Sequence, residues 1–139
     1  MAGAPKSYLT FRVAGKELAV EAACVRAILP LNDLIPVSGA RPGILGVVRR
    51  AGDVINVVDA SERLRLPAWR HGSRPKIVVL GAGGNCVAFI ADRVCDVVRY
   101  ADRDLSNGLL RGEGRARKLI RFDQIVRESD FAEIWAVIP

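Results

Sequence analysis

The chain has 139 residues, of which 50% are hydrophobic and 26% are charged, and its formal net charge is +6. This length suits one domain, or two small lobes around one core, and excludes a catalytic domain joined to a separate binding domain. The apolar content excludes a disordered chain, and the longest uncharged stretch, residues 77–91, is shorter than the roughly 18–20 apolar residues that cross a bilayer.

The first third of the chain predicts strands joined by tight turns. Residues 8–13 alternate apolar and polar side chains, residues 14–16 form a turn, and residues 17–21 continue the alternation, which indicates a hairpin. Residues 22–29 fit either a helical turn or a strand. Residues 30–42 predict a loop, because proline withholds backbone donors and glycine adopts unusual dihedrals.

The middle of the chain contains the clearest hairpin signal. Two apolar runs, residues 44–50 and residues 53–59, surround Ala51 and Gly52. Residues 61–66 predict one or two helical turns, with Ser61 as the N-cap.

The last third predicts further strands. The runs at residues 76–82 and 86–91 flank a Gly-Gly-Asn turn typical of hairpins. Further strands are predicted at residues 93–100, 117–122 and 131–138, a polar loop at residues 102–108 and a helical turn at residues 123–126. Eight to ten short strands at this spacing indicate a mainly β fold, either one barrel or a pair of barrels.

The residues offer little for catalysis or metal binding. The single histidine, His71, lies in a predicted loop beside glycine and arginine, which favours an exposed side chain over a catalytic base. Cys24, Cys86 and Cys95 form no CxxC pair and are predicted to be small buried side chains. The glycine-rich residues 81–84 precede a predicted strand and not a helix, which excludes a phosphate-binding turn. We expect no catalytic residue, no cofactor, no metal and no small-molecule substrate.

The basic residues leave two interpretations open. They are concentrated in two clusters, which we expect either to be solvated or, in a basic β-barrel, to bind nucleic acid. The scarcity of aromatic residues, 6% of the chain, favours the solvated interpretation, because single-stranded nucleic acid is bound by base stacking as well as charge. The clusters contain Arg63, Arg65, Arg70, Arg74 and Lys76, then Arg111, Arg115, Arg117, Lys118 and Arg121.

Four segments carry a family resemblance. Residues 46–59, GVVRRAGDVINVVD, resemble the central motif of CheW-like chemotaxis coupling proteins, G-x-x-N-L-R-G followed by a strand and P-V-x-D-L. Residues 87–97, VAFIADRVCDV, are similar to the family strand that ends in V-D-x-V-x-x-V. The opening strand around Phe11 and the late residues 120–123 follow in the same order, so the resemblance covers nearly the whole chain.

The resemblance implies a fold and a role. The fold is two small five-stranded β-barrel subdomains packed over a shared hydrophobic core, with one or two short helical turns. We expect a flexible segment at residues 1–7 and a single two-lobed domain at residues 8–139. The role is a non-enzymatic adaptor between the cytoplasmic tip of a methyl-accepting chemoreceptor and the regulatory domain of a CheA-type histidine kinase. We expect a cytoplasmic protein, recruited to membrane receptor arrays without inserting into the membrane.

The chain also departs from the family motif. Ala51 stands where the family has arginine, and Asn56 stands where it commonly has proline. In a strand that continues through this point, Arg49 shares a face with Ala51 and replaces the missing guanidinium, while Arg50 points to the other face.

The expected partner-binding residues lie at this hairpin. They are Arg49, Arg50, Gly52 and Asp53, and Gly52 has the alternative role of making the turn. The core is predicted to contain Val57, Val58, Phe89 and Ile90.

Overall fold

The structure, a computed structural model, describes residues 4–37, 43–67, 74–112, 114–127 and 130. The described residues form two six-stranded sheets and two single-turn α-helices. The predicted mainly β fold of two subdomains is confirmed. Each sheet has six strands where five were expected, because short strands of two to four residues join the ends of the predicted ones.

The first sheet combines the two ends of the described chain. Its strands are β1 (Lys6–Val13), β2 (Lys16–Glu21), β9 (Arg93–Tyr100), β10 (Leu105–Ser106), β11 (Leu109–Gly112) and β12 (Arg115–Leu119), in the order β10-β11-β12-β2-β1-β9. Most neighbours are antiparallel, and β12 runs parallel to β2. The β1–β2 hairpin turns at Ala14 and Gly15, as the alternation predicts.

The second sheet is built from the middle of the chain. Its strands are β3 (Val25–Pro30), β4 (Ile35–Pro36), β5 (Ile44–Arg50), β6 (Asp53–Val58), β7 (Lys76–Ala82) and β8 (Asn85–Ala91), in the order β3-β7-β8-β6-β5-β4. Helix α1 (Ala60–Arg63) follows β6, and helix α2 (Phe122–Ile125) follows the last strand of the first sheet. None of the helices in the described segments could span a membrane.

Both sheets are strongly curled. In the first sheet, Arg117 Nη1 on β12 donates to Tyr100 Oη on β9 at 2.6 Å, although two strands separate these elements in the sheet order. In the second sheet, Arg50 Nη2 on β5 lies 3.3 Å from the carbonyl oxygen of Arg26 on β3, across the sheet. Each sheet therefore has an inner face within its curl and an outer face toward the other sheet.

Side-chain alternation divides the core into three clusters. The largest lies between the sheets, where the rings of Phe11 and Phe89 meet at 5.1 Å. A second cluster fills the curl of the second sheet, and a smaller one lines the curl of the first. The predicted core residues Val57, Val58, Phe89 and Ile90 are all buried.

Two local predictions, the N-cap of α1 and the loop at residues 102–108, were wrong in detail, and two others need comment. Asp59 caps α1 in place of Ser61: its carboxylate accepts from the backbone N–H groups of Ser61 and Glu62, which begins the helix one residue earlier. Residues 22–29 contain both alternatives, a 3₁₀ turn at Ala22–Cys24 and then strand β3. Part of the predicted loop at residues 102–108 forms β10, because its two residues pair with β11. The strand predicted at residues 131–138 lies outside the described residues.

The start of β1 differs from the expected domain boundary. Lys6 and Ser7 were placed in a flexible segment, yet they pair with Tyr100 and Arg99 on β9. Strand β1 therefore begins two residues earlier than the sequence pattern indicated.

Candidate partner-binding surface

The four residues predicted to bind partners lie together at the tip of the β5–β6 hairpin. Arg50 pairs with Asp53, and Ala51 and Gly52 form the two-residue turn between them. Both turn residues have positive φ, 51° and 84°, as the favoured two-residue hairpin turn requires. The tip is exposed at all four predicted positions.

The turn shows that Gly52 makes the hairpin, and it changes the interpretation of Arg49. A β-carbon at Gly52 would meet no atom within 4 Å. The glycine is therefore explained by its positive φ and not by close packing against another part of the chain. Because β5 ends at Arg50 and Ala51 has left the strand, Arg49 and Ala51 do not share a strand face. The idea that Arg49 replaces the family arginine by sharing that face is wrong, since it required the strand to continue.

Arg49 nevertheless lies on a partly apolar face. It pairs with Val54, and Val47, two residues earlier on the same face, pairs with Ile35. Val54 and Ile35 are large hydrophobic residues that remain 40% and 44% exposed. We call Ile35, Arg49 and Val54 the β4–β6 face.

Arg50 and Asp53 belong to the opposite face of the hairpin. Each lies two residues along its strand from Val48 or Ile55 and therefore on the same face as these two residues, which belong to the buried cluster inside the second sheet. The hydrogen bond from Arg50 to the Arg26 carbonyl therefore closes the end of the curl. The prediction that Arg49 and Arg50 point to opposite faces is confirmed.

A buried ion pair, which the sequence did not reveal, lies farther along the same face of the second sheet as Arg49 and Val54. Arg63 of α1 makes a bidentate contact with Asp130, at 2.7 and 2.8 Å, and donates to the carbonyl oxygen of Ile125 in α2 at 2.9 Å. The two charged side chains are 3% and 2% exposed. Asn56 on β6 donates to the Asp130 carbonyl oxygen, so the departure from the family proline supplies a side-chain contact.

The electrostatics of this pair favour the ionised carboxylate. Burial alone would raise the pKa of Asp130, but the Arg63 hydrogen bonds and the Arg127 backbone N–H outweigh it, so the pKa lies below its usual value. The guanidinium responds in the opposite sense, because its hydrogen bond to Asp130 raises the pKa of Arg63. The pair therefore remains charged at neutral pH.

The basic clusters are less solvated than predicted. Arg63 is buried against Asp130, and Arg117 is only 6% exposed, inside the first sheet. Each of these arginines is buried against a partner from a distant part of the chain, Asp130 or Tyr100, and local composition cannot show such a contact. The other basic residues of the clusters that the structure describes are exposed or half-buried, and Arg70 lies outside the described residues together with His71.

The cysteines and potential metal ligands complete the description. Cys24 and Cys86 are half-buried, whereas Cys95 is exposed, so the prediction of three buried thiols was wrong for Cys95. This position lies where β9 bulges opposite β1, which turns the side chain away from the core. The described segments contain no group of three or more His, Cys, Asp or Glu side chains that could hold a metal ion.

Comparisons with known proteins agree with this architecture. The structure is similar to the crystal structure of scaffolding protein TtCheW from Thermoanaerobacter tengcongensis, with a TM-score of 0.74, 16% identity and 86% of each chain covered. Two curated relatives are called chemotaxis protein CheW. The one from Rhizobium meliloti (strain 1021) is 28% identical over 134 residues, with 86% of each chain covered. The one from Bacillus subtilis (strain 168) is 27% identical over 123 residues, which cover 88% of this chain and 77% of the relative.

The family model extends the match along the chain. The CheW-like domain model matches residues 7–127, which include both described sheets except Lys6, the first residue of β1, and contain the whole β5–β6 hairpin. Sequence motif, fold and family model therefore agree, and the chain belongs to the CheW-like family.

Proposed function

We propose that this chain is a non-enzymatic adaptor that couples chemoreceptors to a CheA-type histidine kinase in bacterial chemosensory signalling. The observation that carries the proposal is the CheW-like domain match over residues 7–127. The names of the similar proteins, which describe chemotaxis and scaffolding proteins, support the same role. An adaptor needs complementary surfaces and no reactive side chains, which suits the chemistry of the described residues.

We further propose that the β4–β6 face contacts the kinase regulatory domain. Ile35 and Val54 offer apolar area, and Arg49 offers a fork of donors for an acidic group of the partner. Such a combination is common at protein interfaces, where arginine is enriched and apolar side chains fill the centre. Arg50 and Asp53 lie on the opposite face of the same hairpin tip, where a partner that covers the tip would also meet them, and Gly52 acts by fixing the turn.

A titration of the kinase regulatory domain into the chain tests this proposal. We expect saturable binding to the wild type and at least roughly tenfold weaker binding to Val54→Asp, because the variant places an unpaired charge against an apolar contact. Arg49→Gln is expected to weaken binding by a smaller factor, since a rim charge contributes mainly to association rate and salt dependence.

The matched control is Val97→Asp. Val97 is 63% exposed and lies on β9, in the other sheet, so the same chemical change is made away from the β4–β6 face. Equal weakening by both variants would contradict the proposed location, and the absence of any binding by the wild type to both the kinase domain and a receptor tip would contradict the adaptor role.

The alternative, a basic barrel that binds nucleic acid, gains no support from the aromatic residues that the structure describes. Phe11, Phe89, Tyr8 and Tyr100 are buried, and Phe122 is half-buried against the core between the sheets. These segments therefore present no exposed ring on which a base could stack.

A further inference from the structure

An unexplained polar pocket lies on the inner face of the first sheet. It has a volume of about 240 Å³ and opens beside the small cluster of Tyr8, Ala19, Tyr100 and Leu110. We call it the arginine pocket, because four arginines contribute to its lining. Its charged residues are Arg12, Arg93, Arg115 and Arg117, with Glu17 and Asp96 as the two carboxylates.

The floor of the arginine pocket is fixed by a bulge. The register between β1 and β9 shifts between Leu9 and Phe11, which leaves Thr10 opposite an extra residue of β9. The Thr10 hydroxyl accepts from the backbone N–H of Asp96 and donates to its carbonyl oxygen, both at 3.0 Å. Thr10 is 2% exposed, so these bonds hold the bulge in place and define the base of the pocket.

Positive charge exceeds negative charge around this floor. Arg12 and Arg115 approach the same carboxylate oxygen of Glu17, at 3.0 and 3.6 Å. Arg12 also lies directly opposite Arg93 across the β1–β9 pair, an arrangement of like charges that destabilises a sheet. Two carboxylates, those of Glu17 and Asp96, therefore line the pocket together with four arginines contributed by three strands.

Arg117 strengthens this imbalance. It is 6% exposed, and within the described segments it forms no ion pair; its hydrogen-bond partner is the Tyr100 hydroxyl. A buried arginine ordinarily has a negatively charged partner, because removing the guanidinium from water is costly. The remaining donors of its planar fork are thus available at the wall of the pocket.

The ionisation of Glu17 agrees with a positive surrounding. The hydrogen bond from Arg12 lowers the pKa of Glu17, burial acts in the opposite sense, and the charges of Arg115 and Arg117 lower it further. Glu17 therefore stays ionised at neutral pH and occupies part of the arginine cluster.

We propose that the arginine pocket binds a phosphoryl-type dianion, held by Arg12, Arg93, Arg115 and Arg117. Guanidinium forks match the oxygen geometry of phosphate and bind it through paired, charge-assisted hydrogen bonds. The pocket is smaller than the roughly 300–1,000 Å³ of drug-sized ligand sites, so it suits free phosphate or the phosphoryl end of a larger molecule. The site is independent of the adaptor role, since it lies in the other sheet from the β4–β6 face.

Titration with inorganic phosphate, at constant ionic strength and followed by calorimetry and by amide shifts in NMR, tests the site. We expect one saturable site whose shifts centre on Thr10, Glu17 and Asp96. Arg115→Gln is expected to weaken binding by roughly tenfold, the effect of removing one hydrogen bond between charged groups. Its side chain is 60% exposed, so the substitution leaves the fold intact.

Glu17→Gln gives the opposite and more diagnostic result. The variant removes the carboxylate that competes with the ligand, and we expect phosphate to bind about two- to fivefold more tightly, the range set by a partly exposed charge pair. A parallel titration with a phosphomonoester separates the two ligand sources: tighter binding than inorganic phosphate identifies the end of a larger molecule, and equal binding identifies free phosphate.

The control is Arg49→Gln, which makes the same charge change in the other sheet. Unchanged phosphate affinity in this variant supports a local site. The proposal is overturned by the absence of saturable binding in the wild type, by equal losses in Arg49→Gln and Arg115→Gln, or by weaker binding in Glu17→Gln. None of these outcomes depends on whether the kinase domain binds.

Discussion

The two sheets have the same number of strands and a similar curl, yet their inner faces differ. The second sheet fills its curl with a cluster of seven buried aliphatic residues, Val48, Ile55, Val57, Ile77, Val79, Ala88 and Ile90. The first sheet has a smaller inner cluster that includes two tyrosines, and beyond it the curl is lined by four arginines, Glu17 and Asp96. The same architecture therefore forms a closed core in one lobe and an open polar pocket in the other.

The difference between the two inner faces suits the two sheets to different roles. A well-packed aliphatic interior gives the second sheet a rigid hairpin that can present the β4–β6 face to a protein partner. The first sheet retains buried polar groups, which are costly to stability unless they are paired. Retained polar groups of this kind point to a ligand site, whereas the outer faces of both sheets contribute to the one core that joins them.

The largest expected effect comes from the contact that links the two sheets. Arg63 follows a strand of the second sheet and binds α2, which follows the first sheet. Arg63→Met leaves Asp130 buried without its partner, and we expect the free energy of unfolding to fall by about 3–5 kcal/mol. Urea denaturation measures this loss as a single transition. A loss below 1 kcal/mol, or separate unfolding of two lobes, would contradict the linkage.

The same pair gives the fold a pH dependence. Because the pKa of Asp130 is lower in the folded state, its contribution is fully present above the unfolded pKa of about 3.9 and is lost as the pH falls through the folded value. Asp130→Asn is expected to flatten the stability profile in this acidic range. An unchanged acid dependence in the variant would show that other carboxylates govern it.

A further prediction concerns the aliphatic interior of the second sheet. Ile77 is fully buried, so Ile77→Ala removes apolar contacts and leaves a cavity, with an expected loss of about 2–5 kcal/mol. Phosphate binding by the arginine pocket should be unaffected when the variant is measured under folding conditions. Val97→Ala, at an exposed position, is the matched control and should change stability by less than about 0.5 kcal/mol.

A smaller effect is expected in the polar interior of the first sheet. Tyr100→Phe keeps the ring that packs edge-on against Tyr8 at 5.8 Å but removes the hydroxyl that accepts from Arg117. We expect a loss of about 1.5–3 kcal/mol, the range for a hydrogen bond to a charged group. Wild-type stability in chemical denaturation would indicate that Arg117 is satisfied without Tyr100.

The smallest effect is a gain at the hairpin tip. Ala51 has φ of 51°, a left-handed conformation that disfavours a β-carbon. Ala51→Gly should raise the free energy of unfolding by about 0.5–1 kcal/mol, because relief of strain exceeds the added entropy of the unfolded chain. A decrease in stability would show that Ala51 is not strained. Gly15→Ala, at another positive φ, is expected to have the opposite effect and serves as the comparison.

The parts of the fold that the sequence predicted are those with local signals. Residues 8–21 alternate apolar and polar side chains, and residues 44–58 form two apolar runs around a two-residue turn, so both hairpins could be placed to within two residues. The short strands β4 and β10 have two residues each, too few for a period to be visible. The N-cap at Asp59 competed with Ser61, two residues later and of similar capping preference, which composition alone cannot resolve.

The candidate sites, like the short strands, could be predicted only where the signal is local in sequence. All four predicted hairpin residues come together because they are neighbours in sequence, whereas Arg63 and Asp130 are 67 positions apart. The arginine pocket combines β1, β2, β9 and β12, and only its Arg12–Glu17 pair followed from a hairpin register that the sequence already indicated. Burial of Arg117 depends on the curl of the sheet, which no local pattern encodes.

A crossed titration tests the division of roles between the two sheets most directly. Wild type, Val54→Asp and Arg115→Gln are each titrated with the kinase regulatory domain and with inorganic phosphate. We predict that Val54→Asp loses affinity for the kinase domain and keeps phosphate binding. Arg115→Gln is predicted to lose affinity for phosphate and to keep binding to the kinase domain. Loss of both affinities in either variant, or of neither in both, would contradict this division of roles.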